Sequence, residues 1–275
     1  MQIREILVNL DIDRFAPALV DCAVDLARRF DAGLIGISAA EPSAVGMGYE
    51  GAAAVGILYE HEQQDIEGRL GQIERQFRSA VPADIPAAWR GCIGQPNAMV
   101  ARAARCADLI ITGSNFGGPA RNPQRSIDTG ELLVKAGRPV IITGMGLPRV
   151  KADHVVVGWK DSRESRRAVV DALPLLLTAR EVTVVTIHEG NFADEKASLG
   201  DVVAWMRRHD LEPQSDMQPE SANGPAETLE SLARQRGADL IVTGGYGHGR
   251  MREWLFGGMT RDLLSDRTVH RFMSN

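Results

Sequence analysis

The chain has few cysteines, few aromatic residues, no long apolar run and no surplus of basic charge. Its three cysteines, Cys22, Cys92 and Cys106, are odd in number and form no C-x-x-C pair. That excludes a disulfide framework and fits a reducing compartment. No apolar stretch approaches the ~18 residues that cross a bilayer. The opening MQIREILVNL has no long apolar core of a leader and runs straight into a strand-like pattern. The expectation is a cytoplasmic protein with no membrane partner. Basic and acidic residues divide evenly, 15 against 17 in residues 1–149 and 16 against 19 in the rest. With no basic half or tail, nucleic acid is not expected as a partner. Aromatic residues are 5%, whereas glycine reaches 28, about one residue in ten. Such a balance suits α/β packing with tight turns. A length of 275 residues suits two domains.

Short apolar runs alternate with helical periods. Ile6-Leu7-Val8-Asn9-Leu10 reads as a buried strand followed by a polar turn, and Leu19, Cys22, Ala23, Leu26 and Phe30 then share a helix face. A second strand follows at 33–40. The stretch 41–56, rich in Gly, Ala and Ser, reads as a loop or insert. Helical spacing returns over 65–79, then come a weak strand near 86–91, a helix through 97–106, the strand ADLIITG, a helix through Leu132 and Leu133, and the strand 139–144. Strands alternating with helices of this length predict a parallel sheet covered on both faces.

The order then repeats, with strands at 154–159 and 181–190, helices through Ala168–Leu176, 198–208 and 226–236, and the strand ADLIVTG. ADLIITG (107–113) and ADLIVTG (238–244) stand 131 residues apart. At that offset 107–144 aligns with 238–275 without a gap, which indicates a duplication. The join falls in GMGLPRVKA, giving domains 1–147 and 148–275.

After the strand 238–244 lies G-x-x-G-x9-G: Gly244, Gly247 and Gly257, with Gly258 adjacent. Glycines just past a buried parallel strand let the backbone turn and approach a ligand. A glycine pair before a helix bares N–H groups that suit phosphate, and Thr260 adds a hydroxyl. A purely structural glycine-rich turn is the competing reading, because such spacing arises by chance in ~0.1% of windows.

This motif after a buried ADLIVxG strand resembles the universal stress protein (UspA) family, whose motif G-x-x-G-x9-G-[Ser/Thr] cradles ATP phosphates. VVVGWKDSRESRRAVVDALPLL is similar to that family's first strand and helix. The resemblance covers essentially the whole chain, as a tandem of two such domains. It implies two Rossmann-like, adenine nucleotide alpha hydrolase-like α/β domains, each a five-stranded parallel sheet of order 3-2-1-4-5 with flanking helices. It implies ATP, with Mg²⁺ where the phosphates need it, in the second domain. Gly244, Tyr246, Gly247, Gly257, Gly258 and Thr260 would lie on the phosphate side. Gly158, Trp159, Lys160 and Ile187 would lie on the adenine and ribose side. Two departures stand out. Gly258 replaces the usual Ser or Thr, and Lys160 replaces a common Asp, leaving either a lysine for an anionic group or a solvated loop charge.

In the first half the alignment sets Phe116, Ser126 and Ile127 against Gly247, Gly257 and Gly258, and Asp128 stands at the helix start. Phe116 fills phosphate space and Asp128 repels phosphate. That half keeps Asp11 after its first strand, and the expectation is a structural role or a different ligand. His61, His154, His188, His209 and His270 show no metal-ligand spacing, while His248 lies in the loop, facing either phosphate or solvent. No Ser-His-Asp order or nucleophile elbow occurs, so no catalytic residue is assigned. Cys106 reads as core filling. His270-Arg271 falls in the final strand, where family members often pair edge to edge. An arginine there predicts an exposed or blunted edge. The two halves are expected to pack as an intramolecular pseudo-dimer, with a homodimer open. The function implied is adenine nucleotide binding in a regulatory stress response without catalysis. The alternatives are an interaction scaffold and a slow ATP-hydrolysing enzyme.

Overall fold

The computed structural model describes residues 2–43, 52–114, 122–144, 147–188, 190–245 and 268–275, and only the backbone of 52–55. In the first half these residues form β1 (Glu5–Asn9), α1 (Pro17–Phe30), β2 (Gly33–Ala40), α2 (Ala52–Ala80), β3 (Ala87–Ile93), α3 (Pro96–Ala103), β4 (Leu109–Gly113), α4 (Thr129–Lys135) and β5 (Val140–Thr143). The second half gives β6 (His154–Gly158), α5 (Arg163–Leu176), β7 (Glu181–His188), α6 (Phe192–Arg207), β8 (Gln214–Pro219), α7 (Pro225–Gln235), β9 (Leu240–Gly244) and β10 (His270–Ser274).

The strands make one sheet of order β3-β2-β1-β4-β5-β10-β9-β6-β7-β8. Each half supplies five parallel strands in the order 3-2-1-4-5, as expected. The two sets meet where β5 and β10 pair antiparallel, Arg271 opposite Ile142 and Met273 opposite Val140. The 131-residue offset survives as strand register. Ile110 pairs with Val140 and Ile241 with Arg271. The central strands are apolar along their length because helices cover both faces. One face of the sheet carries α1, α2, α5 and α6 over a core that crosses the seam, joining Ile6, Ile141, Phe272, Val157 and Val242. On the other face α3 and α4 pack on Leu7, Ile110 and Ile142, and α7 on Val156, Val185 and Ile241.

Three expectations are overturned. The stretch expected as a loop up to residue 56 is helical from Ala52, because the alanine run there favours helix. That early extension of α2 leaves Ile57 and Leu58 exposed. Cys106 is exposed in a single 3₁₀ turn after α3 and does not fill the core. Arg271 does not mark a blunted edge: it is 1% exposed in the strand that joins the halves. Its Nη2 donates to Glu230 Oε1 on α7 at 3.2 Å and its Nη1 to the Val269 carbonyl at 3.2 Å. The partner carboxylate is what lets an arginine occupy a buried strand.

Candidate functional site

In the second half the chain leaves β6 toward one face through α5 and reaches β9 from the other face through α7. The carboxyl ends of β6 and β9 therefore open a crevice at the point where the strand order reverses. Gly158 ends β6 and lies in register with Val185 of β7 and Thr243 of β9. A Cβ on Gly158 would stand 2.8 Å from Leu229 Cδ2, so the bare backbone is what lets α7 pack there. Gly244, ending β9, is held tighter still. A Cβ there would lie 2.5 Å from the Ser165 nitrogen and 2.6 Å from the Glu164 carbonyl carbon. The first turn of α5 thus rests directly on the end of β9. Ser162 starts that helix, its hydroxyl accepting the Ser165 N–H at 3.1 Å.

The expected adenine-side residues gather at this crevice but differ in character. Trp159 is 8% exposed and donates its backbone N–H to Val185 O at 2.7 Å and its indole Nε1 to Ser198 Oγ of α6 at 3.0 Å. Its ring is committed to the core. Ile187 is half-buried against the α7 face, and Lys160 is exposed. Tyr246, Gly247, Gly257, Gly258, Thr260 and His248 lie outside the described residues.

Three buried oxygens here find no hydrogen-bond partner: Glu164 Oε1, Thr243 Oγ1 and Thr186 Oγ1. None was singled out from sequence. Glu164 heads the stripe of α5 that faces β9, and at 3% exposed it buries a carboxylate. A buried acceptor without a donor costs stability, so each such group asks for an explanation.

The first half answers part of that question. Asn9 occupies the register position of Gly158, and its Nδ2 donates to Thr112 Oγ1 at 3.2 Å. Thr112 is the 131-offset counterpart of Thr243, so the first half satisfies from within the hydroxyl that the second leaves bare. Above the end of β1, Arg125 bonds Asp13 at 2.8 Å and Asp65 at 3.2 Å, and Arg69 meets the same two carboxylates at 3.1 and 2.9 Å. The Arg125 guanidinium is held above its usual range, chiefly by its hydrogen bond to Asp13. Asp11 is consumed by a turn, accepting the N–H groups of Asp13 and Arg14. Asp128 caps α4 through the Glu131 N–H at 2.8 Å. Ser126 donates to the Asn122 carbonyl at 3.0 Å, Ile127 is buried, and Phe116 lies outside the described residues. This crevice is bridged by its own side chains.

Beside the end of β7, His188 Nδ1 meets Glu195 Oε2 at 2.5 Å, and its ring stands edge-on to Phe192 at 5.5 Å. Among the described residues no three His, Cys, Asp or Glu side chains are placed to hold a metal ion. Among those residues, too, no helix is long and apolar enough to cross a membrane.

No family model matches the chain, and neither does any curated relative. Solved structures do. A universal stress protein from Archaeoglobus fulgidus is similar over 100% of this chain and 99% of its own, at TM-score 0.72 and 14% identity. A structure described as a universal stress protein from Pseudomonas aeruginosa covers 99% of this chain and 93% of its own, at TM-score 0.63 and 16% identity. The cytoplasmic domain of a prokaryotic cation chloride cotransporter shares the fold over 98% of this chain and 95% of its own, at TM-score 0.50 and 12% identity. Two crevices at matching positions, one bridged and one with bare acceptors, thus sit on a framework shared end to end with such proteins: this chain has the fold of a tandem universal stress protein.

Proposed function

We propose that the chain binds one adenine nucleotide, ATP or a close relative, in the crevice of its second half. It acts as a cytoplasmic regulatory protein of the stress response without catalytic turnover. The observation that carries this reading is the contrast between the halves. Where Asn9 satisfies Thr112, Gly158 leaves Thr243 bare, and where Arg125 bridges Asp13 and Asp65, Glu164 keeps an unpartnered oxygen. These acceptors fit the hydroxyl and amino groups of a nucleotide. The G-x-x-G-x9-G sequence that follows β9 supplies backbone N–H groups for its phosphates, with Thr260 adding a hydroxyl. Mg²⁺ would accompany a triphosphate. The first half holds its partner in place and takes no nucleotide.

Calorimetric titration of the whole chain with ATP, with and without Mg²⁺, tests the reading. A Gly247→Phe variant, copying Phe116 of the first half, is titrated beside it. Binding by the native chain with at least ~30-fold weakening in the variant is the expected outcome. No binding by the native chain sinks the proposal, and product released at a steady rate in the same cell replaces it with a hydrolase.

A further inference from the structure

A glutamate in the first turn of a helix ordinarily faces solvent and stabilises the positive end of the helix dipole. Glu164 holds that place in α5 but is buried, 3% exposed. The dipole does not require that burial, and a carboxylate is among the costliest groups to bury without a donor.

The first half shows that the packing does not require it either. In α1 the buried positions run Leu19, Val20, Cys22, Ala23, Val24, Leu26 and Ala27. At the offset that sets Asn9 opposite Gly158, Leu19, Val20, Cys22, Ala23, Leu26 and Ala27 fall on the buried Ala168, Val169, Asp171, Ala172, Leu175 and Leu176 of α5. Glu164 falls opposite Phe15, ahead of α1, so the first half places no carboxylate there. Asp171 is satisfied, accepting from Ser274 Oγ at 2.7 Å and Arg167 Nε at 2.8 Å. Glu164 Oε1 is not. Its Cβ lies 2.8 Å from where a Gly244 side chain would begin, at the carboxyl end of β9. Around Gly113, the counterpart of Gly244, an added Cβ would meet nothing within 4 Å among the described residues. The close seating of α5 on β9, which sets Glu164 at the carboxyl end of β9, is not repeated at Gly113.

We propose that Glu164 is a specificity-determining residue. Its free carboxylate oxygen accepts a hydrogen bond from a donor on the bound nucleotide, either a ribose hydroxyl or the amino group of the base. The inference rests on the nucleotide reading above, and its test separates the two. A carboxylate acceptor forms a charge-assisted bond of about twice the ordinary strength. An analogue lacking the donor leaves the carboxylate buried and unpaired.

The whole chain is titrated with ATP, 2′-deoxyATP, 3′-deoxyATP and inosine triphosphate, which lacks the amino group. The native protein is expected to bind one of the three analogues at least ~10-fold more weakly than ATP, and that analogue identifies the donor. In Glu164→Met the affinity for ATP falls to that of the same analogue and the discrimination disappears. The melting temperature of the ligand-free variant rises, because an orphan buried acceptor has been replaced by an apolar side chain. Glu164→Gln, the isosteric change, keeps part of the discrimination and serves as well if the methionine variant folds poorly. Native binding of ATP with no discrimination among the analogues overturns the role of Glu164 and leaves nucleotide binding standing. So does a methionine variant with unchanged affinities. A native chain that binds none of the four overturns both.

Discussion

Replacing Arg271 by valine copies the first half, where Val140 holds the same register. The change removes the guanidinium that faces Glu230 at 3.2 Å, with side chains 1% and 7% exposed. Breaking a buried pair from one side costs ~3–5 kcal/mol, because the remaining charge loses its buried partner. Arg234 stays 3.9 Å from the other Glu230 oxygen and is 42% exposed, so it offsets part of that loss. The better burial of valine offsets about 1 kcal/mol more. The net expectation is destabilisation by about 2–3 kcal/mol. In a chain this long that is a fall in melting temperature of roughly 4–12 °C. Adding Glu230→Leu should bring stability back to within about 1 kcal/mol of native, since an apolar pair commonly replaces a buried ion pair without loss. The assay is urea unfolding of the native chain, both single variants and the double. A single Arg271→Val as stable as native refutes the reasoning, and so does a double variant no better than that single.

Three further outcomes follow from the geometry. His270 is 1% exposed, its Nδ1 accepting the Gly144 N–H at 3.2 Å and its Nε2 donating to the Arg149 carbonyl at 2.8 Å, so the neutral Nε2–H form fits the site. Burial pushes its pKa below the usual histidine value, despite the Arg149 carbonyl and Asp239, while Arg271 works with burial. The unfolded chain therefore takes up a proton below about pH 6.5 that the folded chain refuses, and stability falls as pH drops, by at most ~1.4 kcal/mol per unit. Melting curves from pH 7.5 to 5 should show this slope in the native chain and a shallower one in His270→Gln. Gly244→Ala should cost about 1–3 kcal/mol by pressing α5 off β9, while Gly113→Ala stays near neutral, as unfolding of the two side by side will read. Arg125→Gln should lose about 1 kcal/mol or less, because Asp13 and Asp65 are 43% and 41% exposed. That loss should shrink in high salt, with the ATP titration unchanged.

The duplication was legible because buried parallel strands write themselves as short apolar runs, and two of those runs nearly coincide. The polar elements were not. The sequence reading names no strand at 214–219, yet QSDMQP forms β8 at the edge of the sheet, where half-exposed residues carry no apolar alternation. Arg271 misled because its partner lies 41 residues earlier, on α7, beyond any local period. In the crevice, the backbone positions Gly158 and Gly244 could be read from glycine placement after strands. Glu164 could not, since a glutamate in a first helical turn looks ordinary until the packing of α5 on Gly244 shows that it is buried.

What the two halves share and what they do not share separates along a physical line. The strand register is kept to the residue across the copies, because slipping one buried strand moves its whole apolar set to the opposite face. The crevice residues, Asn9 against Gly158 and Phe15 against Glu164, carry no such constraint and have diverged. The direction of divergence is informative. Asn9 and the Arg125 bridge both satisfy their sites from within, which favours stability. Gly158 and Glu164 leave Thr243 Oγ1 and Glu164 Oε1 without partners, which costs it. A Cβ on Gly245, next in the chain, would stand 3.6 Å from Leu133 of α4 and from Met273 of β10. Leu133 belongs to the first half and Met273 lies at the seam, so the start of the glycine sequence is packed against the partner copy. A ligand that occupies the costly crevice therefore acts beside a contact between the halves, and the stable copy supplies the surface against which that contact is made.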